Sequence, residues 1–170
     1  MEIRQLFEAD TEIYQALRLR GLREHPDAFG SSYEEEAPRS LDVVAERLRP
    51  IGDNFVLGAW EGETLVGTVG FWRESHVKTR HKGGFWGVYV VPEARGAGVG
   101  RALMEAALVR VRSLSGLERV NLEVAANNLA ARALYLSMGF VPFGTEPHAL
   151  KVDGRYVDEE LMALPLLDPK

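Results

Sequence analysis

The 170-residue chain contains no cysteine, which removes disulfides, thiolate metal sites and a cysteine nucleophile together. Any covalent relay needs another residue. It also lacks an apolar run near the roughly 18 residues of a membrane span, and the opening MEIRQLFEAD mixes charged and apolar residues from the start. A cytoplasmic, soluble protein with no membrane partner is expected. Basic excess is missing as well: 20 Lys and Arg stand against 25 Asp and Glu, a formal charge of −5 at pH 7. A nucleic-acid role resting on a basic face has no support from that balance. The histidines at 25, 76, 81 and 148 show no spacing such as His-Glu-x-x-His, so no metal is expected.

What is present suits one compact unit. Apolar residues make up 46% of the chain, enough for one sizeable core, and no internal repeat or low-complexity linker interrupts it. Residues 1–170 read as a single domain. Residues 2–6 suit a first strand; Asp10 or Thr11 then caps a helix carried by Ile13, Ala16, Leu17 and Leu19 and ending near His25-Pro26. A loose stretch, DAFGSSYEEEAPRS, leads to a second helix from Ser40 through Leu48, stopped by Pro50. FVLGAW and TLVGTVGFW, joined by Glu61-Gly62-Glu63, read as an antiparallel hairpin, and FWGVYVV (85–91) as a third strand. Leu103, Ala106, Ala107, Val111 and Leu114 then mark a helix from Val99 that stops at Gly116. VNLEVAA (120–126) is a strand, NLAARALYLSMG a helix closed by Gly139, and the tail two strands around Asp153-Gly154. The order βααβββαβαββ makes an α/β (α+β mixed) sheet protein.

The densest signal is VVPEARGAGVGRALM, residues 90–104, where a strand runs through glycines into a helix. Such a junction suits phosphate: first-turn N–H groups point outward, the helix dipole favours an anion, and glycine admits the ligand close to the backbone. It is not a Walker loop, because Arg101-Ala102 follow Gly100 where lysine and a hydroxyl are needed. Nor do glycines at 96, 98 and 100 make the Gly-x-Gly-x-x-Gly dinucleotide fingerprint.

Arg95, Gly98 and Gly100 do spell Arg-x-x-Gly-x-Gly, and Asn128, Ala131, Leu134, Tyr135, Gly139 and Phe140 follow as Asn-x-x-Ala-x-x-Leu-Tyr-x-x-x-Gly-Phe. In order and spacing these two motifs resemble those of the GNAT superfamily of acetyl-CoA-dependent N-acetyltransferases. The resemblance implies a central mixed, mostly antiparallel sheet of about seven strands with about four helices, its splayed strands forming the acetyl-CoA cleft. It implies that Val88, Tyr89 and Val90 line the pantetheine arm and that the backbone from Arg95 through Gly96, Ala97, Gly98, Val99 and Gly100 to Arg101 holds the pyrophosphate. Asn128 would hold pantetheine or phosphate, or simply cap its helix; Arg132 would reach the nucleotide phosphates, or remain an exposed helix arginine.

Transfer to an amine needs the neutral form, and a lysine-like amine of pKa about 10.4 is only ~0.04% unprotonated at pH 7. Glu123 sits where similar N-terminal acetyltransferases carry a proposed base, and strand alternation sets it on the face opposite Leu122 and Val124. Tyr135 is the expected acid for the departing CoA thiolate, by proton or by hydrogen bond. The resemblance implies an acceptor, a small-molecule amine or an amine of a peptide or protein, that meets the first two helices, their loop and the last strands. These hold Phe29, Tyr33, Glu34, Glu35, Glu36, Trp72, Trp86 and Tyr156, whose acid and aromatic character suits a cation, or else form a solvated glutamate face and core tryptophans. A non-catalytic acyl-CoA sensor and a transferase using another acyl-CoA are the alternatives, and a homodimer is an open expectation.

Overall fold

A computed structural model describes residues 1–166. Seven strands, β1 (Glu2–Gln5), β2 (Phe55–Glu61), β3 (Thr64–Arg73), β4 (Lys82–Val90), β5 (Arg119–Ala125), β6 (Val141–Val152) and β7 (Arg155–Pro165), form one sheet in the order β1-β2-β3-β4-β5-β7-β6. Every neighbouring pair is antiparallel except β4 and β5. The helices are α1 (Thr11–Glu24), α2 (Tyr33–Glu36), α3 (Leu41–Ala45), α4 (Val99–Arg112) and α5 (Leu129–Ser137). None is long and apolar enough to cross a membrane among the described residues.

The sheet is covered on both faces. Gly21 of α1 meets the Tyr89 ring, leaving only 3.2 Å for an added Cβ, so α1 packs on the β4 face that carries Tyr89. Leu103 of α4 and Val90 of β4 crowd the other side of Gly67, which places α4 on the opposite face. Leu103, Met104, Ala107 and Val111 are fully buried there. Each large apolar side chain so buried contributes about 1.5–3 kcal/mol relative to exposure. α5 shares that face, since its Arg132 reaches Glu160 of β7, and Glu160 pairs across to the buried Val124.

Several local expectations are corrected. The stripe of α1 is Tyr14, Leu17, Gly21 and Leu22 with polar Thr11 and Gln15, while Ala16 is exposed. Asp10 does occupy the N-cap position of α1 but makes no cap bond; its carboxylate instead takes the Phe7 amide and both Arg4 nitrogens. The helix expected to Leu48 ends at Ala45, and the stretch read as loose contains the short α2, closed by a Ser32–Glu35 capping box. β4 begins at Lys82 rather than Phe85, because Gly83 and Gly84 allow Phe71 and Trp72 to pack across them.

Candidate active site

β4 and β5 lie parallel for three residue pairs only, Lys82↔Arg119, Gly83↔Val120 and Gly84↔Asn121. Beyond them the strands separate. The cause sits in β4, where the register with β3 slips by one residue between Thr68↔Tyr89 and Gly70↔Trp86 and Gly87 adopts φ +60°. A bulge of this kind bends the strand and unpairs its groups from the neighbour. Gly87 carries that left-handed conformation at little steric cost.

The opening between the strands is a cavity of about 870 Å³, lined by Trp86, Val88, Tyr89 and Val90 of β4, by the glycine turn, and by Leu122, Glu123 and Val124 of β5. Asn128, Leu134 and Tyr135 of the α5 segment close one side, and the turn Pro26–Ala28 with Phe29 covers the other. The size is that of a small-molecule or cofactor site.

At the turn, Gly96 and Gly98 have φ +78° and +82°, and a Cβ on either would meet nothing within 4 Å. Backbone conformation, not crowding, therefore calls for glycine. Gly98 is the N-cap of α4, so the amides of Val99, Gly100 and Arg101 are the unpaired first-turn donors and carry the positive end of the helix dipole. Arg95 bonds the Val90 carbonyl at 2.9 Å and meets His25 Nε2 at 2.8 Å, so the turn is tied both to β4 and to the segment after α1. Arg101 is exposed and held by Ser137 at 2.6 Å. Ala97 is also exposed and does not line the cavity.

Tyr135 is 5% exposed yet lines the cavity, with its ring 5.9 Å from that of Phe140. Burial drives its hydroxyl well above the ordinary phenol range, which makes it a hydrogen-bond donor that holds its proton. Glu123 projects away from the buried Leu122 and Val124, as strand alternation expects, and reaches the cavity. Asn128 accepts the Ala131 amide at 3.2 Å as the cap of α5 and still lines the cavity. Arg132 does not: Glu160 binds it through two nitrogens, at 2.8 and 3.2 Å, away from the cleft. Tyr89, on the α1 face, donates its hydroxyl to Glu24 at 2.9 Å, and burial, with the Glu24 carboxylate beside it, pushes that phenol up to about 12.

Of the acceptor candidates, Phe29 and Trp86 line the cavity. Tyr33 accepts from Arg23, Glu35 caps α2, and Glu34 is exposed. Glu36 is buried against Arg47, and burial, which would raise its pKa, is outweighed by Arg47, Arg18 and Arg39, so the carboxyl lies below its usual range. Trp72 is 40% exposed and packs over Gly84, and Tyr156 stacks on His148 at 4.3 Å. Sequence reasoning did not place His25, Asp27, Asn127 or Arg155 at the site, although all four line the cavity. No sequence pattern marks them. Among the described residues no group of His, Asp and Glu side chains is arranged to hold a metal.

The sequence profile of the Acetyltransferase (GNAT) family matches residues 12–140. The mycothiol acetyltransferase of Thermobispora bispora is 38% identical over 135 residues, 77% of this chain and 43% of its own length. The chain thus spans less than half of the curated relatives that it matches. A GNAT-family acetyltransferase from Streptococcus pneumoniae has the same fold with TM-score 0.86 at 21% identity, covering 96% of this chain and 98% of that one. The protein yncA of Salmonella typhimurium, solved with its cofactor acetyl-CoA, gives TM-score 0.84 at 22% identity, with 99% of this chain and 95% of that one covered.

Proposed function

Because the chain belongs to the Acetyltransferase (GNAT) family, we propose that it transfers an acetyl group from acetyl-CoA to a primary amine, with both substrates in one cavity. The observation that carries this is the joining of the glycine turn, the open β4 edge, Glu123 and Tyr135 around a single 870 Å³ space. The residues fit the donor. The open edge from Trp86 to Val90 offers main-chain groups to an extended amide arm, and the first-turn amides of α4 offer donors to a pyrophosphate. Acetyl-CoA supplies the activated acyl group. No cysteine exists to accept it, so direct attack by the amine is the economical route.

In this reading Glu123 takes the proton of the incoming amine, through a water because a carboxylate is a weak base for an ammonium. Tyr135 faces the leaving sulfur. Proton transfer from an ordinary phenol to a thiolate is already uphill by about 2 kcal/mol, and burial makes this phenol weaker still. Its role is therefore to donate a hydrogen bond that stabilises the thiolate. Likeness to enzymes named for mycothiol favours a small-molecule acceptor over a protein N-terminus.

The test is CoA release, followed by thiol titration, from acetyl-CoA mixed with polyamines, amino acids and their amides, aminoglycosides and short peptides. The protein has no thiol of its own, so the background is low. Amine-dependent release supports the reading. Failure of the protein to bind acetyl-CoA overturns it, and tight binding without release across the panel turns it toward a sensor.

A further inference from the structure

The turn Pro26–Ala28 closes the acceptor side of the cavity and touches β5 and β6. Asp27 lies at its centre and lines the cavity, yet its Oδ1 is buried with no hydrogen-bond partner among the described residues. A buried carboxylate oxygen left without a donor is costly, and native proteins rarely keep one unless something else satisfies it. The neighbouring sheet face explains what that donor carries. Glu159 pairs with Glu146 on one side and Ala125 on the other, and Glu123 stands two residues before Ala125, so three carboxylates share the face turned toward this covering segment. Burial, together with the charges of Glu123 and Glu146, raises the Glu159 carboxyl above its usual range. Phe29 and Trp86 add aromatic wall to the same end.

We propose that Asp27 is an acceptor-binding residue whose carboxylate takes an N–H of a cationic amine seated at the Glu123 end of the cavity. The inference rests on the acetyl-transfer reading of this site and adds the charge class of the acceptor and the residue that selects it. An amine bearing its own carboxylate is disfavoured at that end, because it would bring a further negative charge beside Asp27 and the three carboxylates of the Glu123 face, against the single Arg155 that lines the cavity from the β7 side. Asp27 positions the acceptor; Glu123 and Tyr135 act on the reacting atoms.

The experiment uses the full chain saturated with CoA and titrates L-phenylalaninamide, cadaverine, histamine and L-phenylalanine into the wild type, Asp27→Asn and Asp27→Ala, with melting temperatures of the unliganded proteins in parallel. Expected are binding of at least one of the three cationic amines, weaker binding of L-phenylalanine than of its amide, and a loss of about 10- to 100-fold in amine affinity in Asp27→Asn. Asp27→Ala melts no lower than the wild type, since it deletes an unsatisfied group; a purely structural aspartate gives the opposite. CoA affinity is the same in all three proteins. A lower melting temperature with unchanged amine affinity, preference for L-phenylalanine, or binding of none of the three cations overturns the proposal and leaves acetyl transfer standing. Failure of the wild type to bind CoA or acetyl-CoA overturns the transfer reading instead.

Discussion

Arg47 grips the buried carboxylate of Glu36 with both terminal nitrogens, each at 2.7 Å, and so anchors the segment that follows the cavity's covering turn onto α3 and the residues after it. Arg39 and Arg18 approach the same carboxylate at 3.8 and 4.0 Å. Glu36→Gln leaves these cations facing a neutral group, and breaking a buried pair from one side is expected to cost about 3 kcal/mol. Because the folded-state pKa of Glu36 is depressed, its contribution is complete above the unfolded value and disappears as pH falls through the lower, folded one. Denaturant melts of the wild type and Glu36→Gln therefore differ most near neutrality and converge below about pH 4. A gap that stays constant with pH contradicts the assignment.

Gly98→Ala tests the turn. A Cβ there has free space but φ is +82°, so the folding cost is that of the backbone alone, about 1–2 kcal/mol. The same residue sets the direction of the first amides of α4. Acetyl-CoA affinity measured by calorimetry is expected to fall about tenfold, in excess of the change in melting temperature.

Tyr135→Phe removes a hydroxyl from a residue whose ring remains packed on Phe140. Stability and acetyl-CoA affinity stay near wild type, while kcat falls by about 10²–10³-fold. Equal losses in kcat and in melting temperature would instead make Tyr135 a packing residue.

Glu123→Gln keeps the shape of an exposed strand position and takes away the proposed base. A drop of about 10²–10⁴-fold in kcat/KM at pH 7 is expected, narrowing as pH rises toward the pKa of the acceptor, where the free amine no longer needs a base. A deficit independent of pH points to a different group.

Much of this architecture was legible because it is local. The glycine turn, the Asn128 cap and the Gly139 stop of α5 each depend on conformations that neighbouring residues dictate, and the structure has Gly98 and Asn128 at those caps and Gly139 at φ +92° just past the helix end. Alternation along β5 placed Glu123 correctly for the same reason. What escaped was decided by distant chain. Arg132 is paired with Glu160, 28 residues later, and Glu36 with Arg47 from beyond α3, pairings that no local pattern announces. Asp27 and Arg155 enter the cavity only because the covering turn lies against β5 and β6 and the β6–β7 hairpin pairs beside β5 through β7, which no periodicity in their own segments announces.

The early parting of β4 and β5 also bears on how the protein behaves in concentrated solution. Unpaired strand edges on a protein's outside invite other chains to dock and are a common origin of aggregates. Here two further edges exist, but they face each other across a cleft roofed by the Pro26–Ala28 turn on one side and α5 on the other. The fold thus holds these two edges inside the molecule, where the covering turn and α5 shield them.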